Sequence, residues 1–364
     1  MPKIESPDIS VALDMRGCPN RCRHCYYGRV RNGRLSEHDL RWAVSRFREY
    51  VRHGEDRPLV RNLNAVTWDR EPDFGDDYRR LYELEVELSN TKTYRAEWEL
   101  LSVWRLARDE SYAPWAHGIG VRTAQISFFG VGETQDWFCR RKGAFRDCIA
   151  ATERLLDAGI KPRWQLFLTT KILPELGELM GLVDRLRLRE QCEELGGEFV
   201  MFIHTPGPDG EARFIEHLRP TVDEADAIPQ ELLESTRKHF GRERLWGTVG
   251  ERVTEILAAE SDAFPWGWRY QDPLFFIVQA NWDVYSNMGS GDPWWKLGNL
   301  KVDPVADIIA RFEQDLIPAL KANAAISVAD LARRYGDPKS QRVGRDAEYW
   351  LEKHCADAAS DQLA

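Results

Sequence analysis

The sequence lacks long apolar runs. No window of about 18 consecutive apolar residues occurs in the 364-residue chain, which argues against a transmembrane helix. Its first residues, MPKIESPDISVALDM, lack the basic and apolar segments of a secretory signal. Both absences predict a cytoplasmic protein without a membrane partner. Hydrophobic residues make up 43% of the sequence and charged residues 30%, a composition typical of a globular chain that buries a core.

Basic blocks are also missing. The net charge is −9, and no segment rich in Lys or Arg stands out. Since proteins that bind nucleic acid usually present a basic face, this composition argues against nucleic acid as a partner.

The cysteines do not form a disulfide pattern. Their number, seven, is odd, and three of them, Cys18, Cys22 and Cys25, fall within eight residues. In a reducing compartment such clustering indicates a metal or cluster site rather than a disulfide framework. The surrounding GCPN segment is rich in turn-forming residues, so the loop can wrap around one centre. The scattered Cys148 and Cys192 fall in helical patterns and are predicted to be packing residues.

Three thiolates favour an iron–sulfur cluster over a zinc ion. Zinc ligands typically come as two separated pairs, and no second pair accompanies the triplet. An electron-transfer cluster needs four cysteines, so three leave one iron open. The alternative is a zinc-binding interaction protein that uses the three cysteines and His24.

Alternating strand and helix patterns predict an α/β fold with a parallel sheet. Longer connections at about 90–122 and 205–272 predict insertions. The predicted strands are Ile9–Met15, Leu63–Trp68, Thr123–Phe129, Arg163–Leu168, Glu198–His204 and Leu274–Gln279. The predicted helices are Ser36–Val51, Tyr78–Leu88, Ala96–Arg108, Ala144–Ala158, Glu175–Cys192, Pro229–Phe240, Thr248–Ala259, Val305–Ala322, Val328–Tyr335 and Arg345–Ala356.

The cysteine triplet after the first strand, followed by Tyr26, resembles the signature of the radical S-adenosylmethionine (SAM) superfamily. In that family an aromatic residue usually precedes the last cysteine, a position that His24 occupies here. The resemblance implies a partial parallel (βα)6 TIM-like barrel, which the six predicted strands support. It also implies an oxygen-sensitive [4Fe-4S] cluster on the three cysteines, whose open iron chelates SAM. One-electron reduction, by a donor such as flavodoxin or ferredoxin, would then cleave SAM to a 5′-deoxyadenosyl radical that abstracts hydrogen from the substrate.

The family binds the SAM amino group with a Gly-Gly-Glu-Pro-like stretch after the second strand. Asp69–Pro72 (DREP) keeps the Glu-Pro pair without the glycines, whereas Gly130–Glu133 (GVGE) keeps glycines without the proline. The segment RRKGAF resembles the connection from strand three to strand four in peptide-modifying members, which assigns DREP to strand two. The resemblance therefore implies that Glu71, with Arg70, holds SAM. An ordinary polar turn is the alternative.

Four further residues are candidates for the site. Tyr26, Ser127 and Gln165 are candidate SAM contacts, although strand alternation lets Ser127 and Gln165 face either the interior or the exterior. Cys139 follows strand three and is a candidate hydrogen donor to a substrate radical, as a cysteine is in radical SAM epimerases. The alternative is a loop cysteine without a role.

The C-terminal region lacks cysteines where related enzymes have them. Asn281–Leu300 is rich in Trp, and its LGNL ending resembles the start of a SPASM or twitch extension. Those extensions bind auxiliary clusters, but residues 273–354 contain no cysteine, so a single cluster is predicted. The predicted domains are a barrel at 1–280 and a helical extension at 281–364. The implied substrate is a peptide or small natural product, and epimerisation, dehydrogenation, cross-linking and rearrangement are all compatible with these residues. Because the second strand has lost its glycines, a related fold without catalysis is a third possibility.

Overall fold

The computed structural model of the chain describes residues 8–28, 30–52, 54–90, 99–205, 207, 210–259, 274–286, 291–344 and 354. Parallel strands alternate with helices along most of this sequence, as an α/β chain requires. No helix in the described part of the chain is both long and apolar enough to cross a membrane.

The strands form two larger sheets and one short pair. The first sheet has the order β2-β1-β7-β8-β9, and the second has the order β3-β4-β5. Strands β1, β2 and β7 are parallel to one another, as are β3, β4 and β5, whereas β8 and β9 run antiparallel to their neighbours. The strands are β1 Asp8–Leu13, β2 Asn62–Val66, β3 Thr123–Phe128, β4 Lys161–Phe167, β5 Val200–His204, β6 Gly247–Thr248, β7 Leu274–Val278, β8 Asp283–Ser286, β9 Gly298–Asn299 and β10 Val343–Gly344. Strands β6 and β10 form the short antiparallel pair.

Helices follow most of the parallel strands. They are α1 Glu37–Arg48, α2 Tyr78–Leu88, α3 Val103–Leu106, α4 Tyr112–Gly118, α5 Glu133–Cys139, α6 Ala144–Asp157, α7 Leu176–Arg185, α8 Leu188–Glu194, α9 Val222–Ala225, α10 Gln230–Phe240, α11 Val249–Ala259, α12 Val305–Glu313, α13 Pro318–Ala325 and α14 Val328–Tyr335. Short 3-10 helices cover Leu173–Glu175, Gly210–Leu218 and Pro293–Trp295.

All six predicted strands are confirmed, with ends that differ by at most two residues. Two predicted long helices are wrong as single elements. Arg187 adopts the left-handed conformation (φ 50°) and divides α7 from α8. Asp315 does the same (φ 54°) between α12 and α13, and Pro318 opens the second helix. The residues before and after Arg187 and Asp315 all favour helix, so the sequence does not show that a helix ends at these two positions.

The predicted helical extension begins instead with a β-hairpin. Strands β8 and β9 continue the first sheet before the helices begin. Apolar and polar residues do not alternate clearly in this Trp-rich segment, so the sequence does not predict these strands. Of the predicted helix at Ala96–Arg108, only Val103–Leu106 is helical, and residues 96–98 lie outside the described residues. The helix predicted at Arg345–Ala356 falls almost wholly outside them as well.

The residues after β7 share one hydrophobic core with the first sheet. Phe312 of α12 is 1% exposed, and its ring centroid lies 6.3 Å from that of Phe276 in β7. Leu320 of α13 is fully buried in the same cluster as Val11 of β1. The hairpin and helices α12 and α13 therefore cover the β7 side of the sheet, whereas α14 packs with α11.

The second sheet has one apolar and one polar face. Its apolar side chains are buried against α6 and α7, in the pattern that period-two alternation produces. The opposite face carries the half-buried side chains Gln125, Ser127, Arg163 and Gln165. Residues 99–102 link this sheet to the first: the Gln125 backbone N–H donates to the Glu99 carbonyl (2.8 Å), and the Ser102 hydroxyl donates to Glu71 after β2 (2.7 Å).

Because Phe312 belongs to the core of the first sheet, Phe312→Ala should destabilise the whole sheet. We expect a single unfolding transition with a free energy of unfolding lower by about 3–5 kcal/mol, the cost of removing a buried aromatic ring. Chemical denaturation followed by circular dichroism measures this change. Val302→Ala, at a position 81% exposed, is the control and should have little effect. A separate early transition of small amplitude would instead show that the C-terminal helices unfold on their own.

Candidate iron–sulfur and SAM site

The cysteine loop starts directly after β1 and is fixed by hydrogen bonds to Cys18. Asn32 holds this residue on both sides, because its amide oxygen accepts from the Cys18 N–H (3.1 Å) and its amide nitrogen donates to the Cys18 carbonyl (2.9 Å). Gly17 has a positive φ of 77°, and a Cβ there would collide with the Asn32 side chain. The tight turn therefore requires glycine at position 17.

Two other segments hold the rest of the loop. The N–H groups of Arg21 and Arg23 donate to the carbonyls of Cys139 (3.1 Å) and Phe138 (2.8 Å) at the end of α5. On the other side, the Glu211 N–H donates to the Cys25 carbonyl (2.9 Å). The loop is thus anchored to elements that follow β3 and β5, which places it over the ends of both sheets.

The three cysteines line one cavity of about 260 Å³. Cys139 and Cys148 line it as well, so five thiols face one space. Glu71, Gln125 and Ser127 belong to its polar lining, together with Asn20, Arg21, His24, Tyr26, Arg70, Gln135 and Arg141. The cavity therefore brings the triplet together with side chains from β3 and from the turn after β2.

Burial and neighbouring acidic groups keep the thiols of Cys18, Cys22 and Cys25 protonated in the absence of a cation. The pKa of Cys25 is raised to about 11 by burial and by the nearby Cys22. The pKa of Cys22 is raised by contact with the Cys139 thiol and by burial, and the pKa of Cys18 is raised by burial and by Glu71. The thiolate form thus needs bound metal, because coordination deprotonates a thiol outright.

The donor set fits an iron–sulfur cluster better than a single zinc ion. A zinc site needs four donors at about 2.0–2.3 Å from one point. Within the described ranges, no three or more His, Cys, Asp or Glu side chains are arranged to hold one ion. A four-iron cluster does not need its ligand sulfurs to meet at one point, since each thiolate binds a different iron. The Asn20 N–H also donates to the Cys18 sulfur (3.4 Å), a contact that stabilises a ligating thiolate.

His24, the fourth ligand in the zinc alternative, lies in an aromatic pocket. Its ring centroid is 4.2 Å from that of Phe129 and 4.8 Å from that of Phe167. Burial, with His204 nearby, lowers its pKa to about 3, so the imidazole is neutral. These contacts give His24 a packing role and do not favour the zinc alternative.

Arg70 is used to anchor the cysteine loop. Its Nε donates to Asp14 at the end of β1 (2.9 Å), and its Nη1 donates to the Val30 carbonyl after the triplet (2.9 Å). Both partners of the ion pair are buried, with side-chain exposures of 7% for Arg70 and 1% for Asp14. The predicted SAM contact Arg70 thus lines the cavity, but its guanidinium donates to Asp14 and to the loop.

Glu71 faces the cavity in the way expected of a cation-binding carboxylate. It accepts hydrogen bonds from the Ser102 hydroxyl (2.7 Å) and from the Trp104 backbone at the start of α3. Burial raises its pKa to about 7. A bound ammonium group would lower this pKa again, so Glu71 is suited to hold a cation near neutral pH.

Ser127 and Gln165 lie on the same polar face of β3 and β4. The Ser127 hydroxyl donates to the Gln165 amide oxygen (3.3 Å), which also accepts from Gln125 (2.6 Å). The structure thus places both predicted residues on the face of the sheet opposite the helices, and Ser127 lines the cavity. Tyr26 also lines it, is 46% exposed, and donates from its hydroxyl to Asp69 (3.3 Å).

Cys139 lies at the end of α5, where it is 4% exposed and contacts Cys22. Cys148 of α6 was predicted to be a packing residue. It is buried, but it also lines the cavity, and the Gln135 amide donates to its sulfur (3.4 Å). Asn32 and Cys148 could not be recognised in the sequence, because one lies 14 residues from its partner and the other has no ligand spacing.

Comparison with solved structures supports this arrangement of elements. Native anSMEcpe, a radical SAM enzyme, with bound AdoMet and the Cp18Cys peptide has a TM-score of 0.50 at 13% identity, covering 98% of each chain. The tagged form of anSMEcpe with bound AdoMet has a TM-score of 0.50 at 14% identity, covering 98% of this chain and 94% of that chain. Streptococcus suis SuiB bound to its precursor peptide SuiA has a TM-score of 0.42 at 13% identity, covering 83% of this chain and 64% of that chain.

By sequence, no family model matches the chain, and no curated protein matches it. The likeness to anSMEcpe therefore concerns the three-dimensional arrangement, and on that ground the chain has the fold of a radical SAM enzyme.

Proposed function

We propose that the chain is a radical SAM enzyme in which Cys18, Cys22 and Cys25 bind a [4Fe-4S] cluster. The observation that carries this proposal is the convergence of the three thiols on one cavity, with no arrangement for a single ion among the described residues. When bound and reduced, such a cluster supplies the electron that cleaves SAM. An external one-electron donor of the flavodoxin or ferredoxin class would reduce it.

The two sheets are proposed to form a partial parallel (βα)6 barrel. The strand orders β2-β1-β7 and β3-β4-β5 are those of the two halves of such a barrel, with residues 99–102 bridging them. On this proposal the barrel spans residues 1–280, and 281–364 form an extension packed against it. The cavity then opens at the carboxyl ends of the strands, where barrel enzymes place their sites.

The polar residues of the cavity are assigned to SAM. Glu71 would accept hydrogen bonds from the SAM ammonium, and its burial would strengthen that contact. Ser127, Gln165 and Tyr26 would donate to or accept from the ribose and carboxylate oxygens. Arg70 would act on SAM indirectly, by fixing the loop through Asp14.

The proposed substrate is a peptide or a small natural product. The bound peptide in the anSMEcpe structure supports the first of these classes. Cys139 is the candidate hydrogen donor for a reaction that ends by returning a hydrogen atom to the substrate. Its buried thiol lines the cavity beside Cys22, which is where such a donor would be needed.

Anaerobic reconstitution with iron and sulfide, followed by dithionite and SAM, tests the proposal. We expect about four irons per chain and formation of 5′-deoxyadenosine, detected by mass spectrometry. Replacing Cys18, Cys22 and Cys25 together by Ala should abolish both. Cys192→Ala is the matched control, because this buried thiol of α8 does not line the cavity. Stoichiometric zinc without SAM cleavage would instead support the zinc-binding alternative.

The role of Glu71 predicts a pH-dependent affinity for SAM. Below its pKa of about 7 the carboxyl binds a proton that SAM binding must displace, so affinity should fall by up to about tenfold per pH unit below 7. Glu71→Gln should weaken binding at pH 8 by about 10- to 100-fold, the value of a charge-assisted hydrogen bond, and remove this pH dependence. Equilibrium dialysis of SAM with the reconstituted protein measures both effects. Glu198→Gln, at an exposed carboxylate, is the control, and equal affinities at pH 6 and 8 in the wild type would refute the assignment.

The loop anchor predicts a loss of cluster stability in Asn32→Ala. Two hydrogen bonds to the Cys18 backbone disappear in this variant, so the first ligand is no longer held in position. We expect less iron per chain and faster loss of iron to a chelator, followed by visible absorption. Asn299→Ala is the control, since Asn299 makes comparable hydrogen bonds in the β8–β9 hairpin. Unchanged iron release in Asn32→Ala would show that the anchor is dispensable.

A further inference from the structure

Two cationic side chains pack on an exposed tryptophan near the cavity. Trp137 of α5 is 36% exposed. The Arg23 guanidinium lies 3.9 Å from its ring centroid, and the Lys171 ammonium lies 4.8 Å from it. Arg23 comes from the cysteine loop and Lys171 from the segment after β4, so two different elements bring positive charge to one ring.

This group lies at the rim of the cavity. Arg23 lies in the chain between Cys22 and His24, and Trp137 lies two residues before Cys139. All three of these neighbours line the cavity. Arg21, which is exposed, lines it directly. The Arg23 Nε also donates to the Trp137 carbonyl (3.1 Å), so the group packs directly against the cysteine loop.

Two of the cations at this rim, Lys171 and Arg21, are not paired with carboxylates that the structure describes. Among the described residues, neither Lys171 nor Arg21 has a carboxylate within 4.0 Å, in contrast to most surface arginines of this chain. Glu175, which follows Lys171 in the chain, accepts hydrogen bonds from the Val131 N–H (2.6 Å) and the Thr134 hydroxyl (2.5 Å). Glu133, at the start of α5, is exposed. Like charges held against one ring repel each other, and an anionic ligand would relieve this repulsion.

A second exposed aromatic residue lies across the cysteine loop. Phe214, which is 59% exposed, belongs to the 3-10 helix whose Glu211 N–H bonds the Cys25 carbonyl. The Arg213 guanidinium lies 4.8 Å from its ring centroid, and its contact with Asp292 is long (3.9 Å). The aromatic–cation pairing at Trp137 thus recurs on the other side of the loop.

We propose that this basic rim, formed by Arg21, Arg23, Trp137, Lys171, Arg213 and Phe214, binds an acidic segment of a peptide substrate. Carboxylates of the segment pair with the cations, and its side chains pack on the two rings. The inference rests on the proposed function in one respect: it takes the residue to be modified as lying in the cavity, next to the segment on the rim.

Two features favour an extended acidic peptide over a compact anion. The cations come from loops after β1, β4 and β5, and they pair with two separate rings, whereas a phosphate is held by donors that converge on one point. The chain as a whole carries a net charge of −9 and would repel an acidic partner elsewhere. A local basic rim therefore directs such a partner to the cavity.

Fluorescence anisotropy with two labelled ten-residue peptides tests the proposal. One peptide alternates Glu with Phe and Gly, and the other has Lys in place of Glu. With the reconstituted full chain we expect binding of the acidic peptide only, weaker at about 300 mM than at about 50 mM salt because exposed charges are screened. The double variant Arg21→Gln/Lys171→Gln should bind it about 3- to 10-fold more weakly, the effect of two exposed ion pairs.

Controls separate a local effect from a change of net charge. The double variant Lys238→Gln/Arg244→Gln removes the same two charges at exposed positions that do not line the cavity, and it should bind as the wild type does. Glu133→Gln removes a negative charge from the rim region and should bind equally or more tightly. Circular dichroism checks that each variant is folded.

Three results would overturn the inference: equal binding of the acidic and basic peptides, unchanged binding by the double variant, or displacement of the peptide by millimolar inorganic phosphate, which would indicate a compact-anion site. The proposed function is tested separately, because formation of 5′-deoxyadenosine is measured without any peptide. Peptide binding without SAM cleavage would leave the rim in place and reject the proposed function. SAM cleavage without charge-dependent peptide binding would support the proposed function and reject the role of the rim.

Discussion

The buried ion pair between Asp14 and Arg70 connects the parts of the site. It joins the end of β1 to the turn after β2, and the same guanidinium reaches the Val30 carbonyl on the far side of the cysteines. Burial raises the pKa of Asp14 even with Arg70 beside it, so the pair exists at a cost in desolvation. Removing either partner would leave the other charge buried and unpaired, which typically costs about 3–5 kcal/mol. The position of the cysteine loop therefore depends on both residues together.

The segment at residues 99–102 connects the two sheets. Its Glu99 carbonyl accepts from β3, its Ser102 hydroxyl donates to Glu71, and its Glu99 side chain pairs with Arg163 of β4 (2.6 Å). Glu99 holds a positive φ of 53°, a conformation that costs energy for a residue with a side chain. The backbone hydrogen bond and the ion pair offset this strain. The segment thereby fixes the carboxylate that we assign to SAM.

The sequence predicted the parallel strands well, because apolar runs bounded by polar turns leave few alternatives. It predicted the three cysteines for a similar reason, since ligands close in sequence must be close in space. It did not predict the β8–β9 hairpin, whose strands are short and whose side chains alternate weakly. Nor could it find Asn32 or Cys148, because their roles arise only when separate loops meet. The sequence does not determine which face of the sheet Ser127 and Gln165 lie on. Their chain neighbours Ile126 and Trp164 are fully buried on the helix side, so Ser127 and Gln165 lie on the opposite face.

The missing glycines after β2 need not mean a lost function. In a Gly-Gly-Glu-Pro stretch the glycines leave space beside the carboxylate, whereas here Asp69 and Arg70 fill it with side chains. The Asp69 carboxylate accepts from Tyr26, and Arg70 pairs with Asp14, so both side chains are occupied at the base of the cysteine loop. Arg70 and Glu71 both line the cavity, but the Glu71 carboxylate is held by the Ser102 hydroxyl and not by the cysteine loop. The substitution thus replaces bare backbone with an anchor for the cysteine loop, and it leaves in place the carboxylate that we assign to SAM.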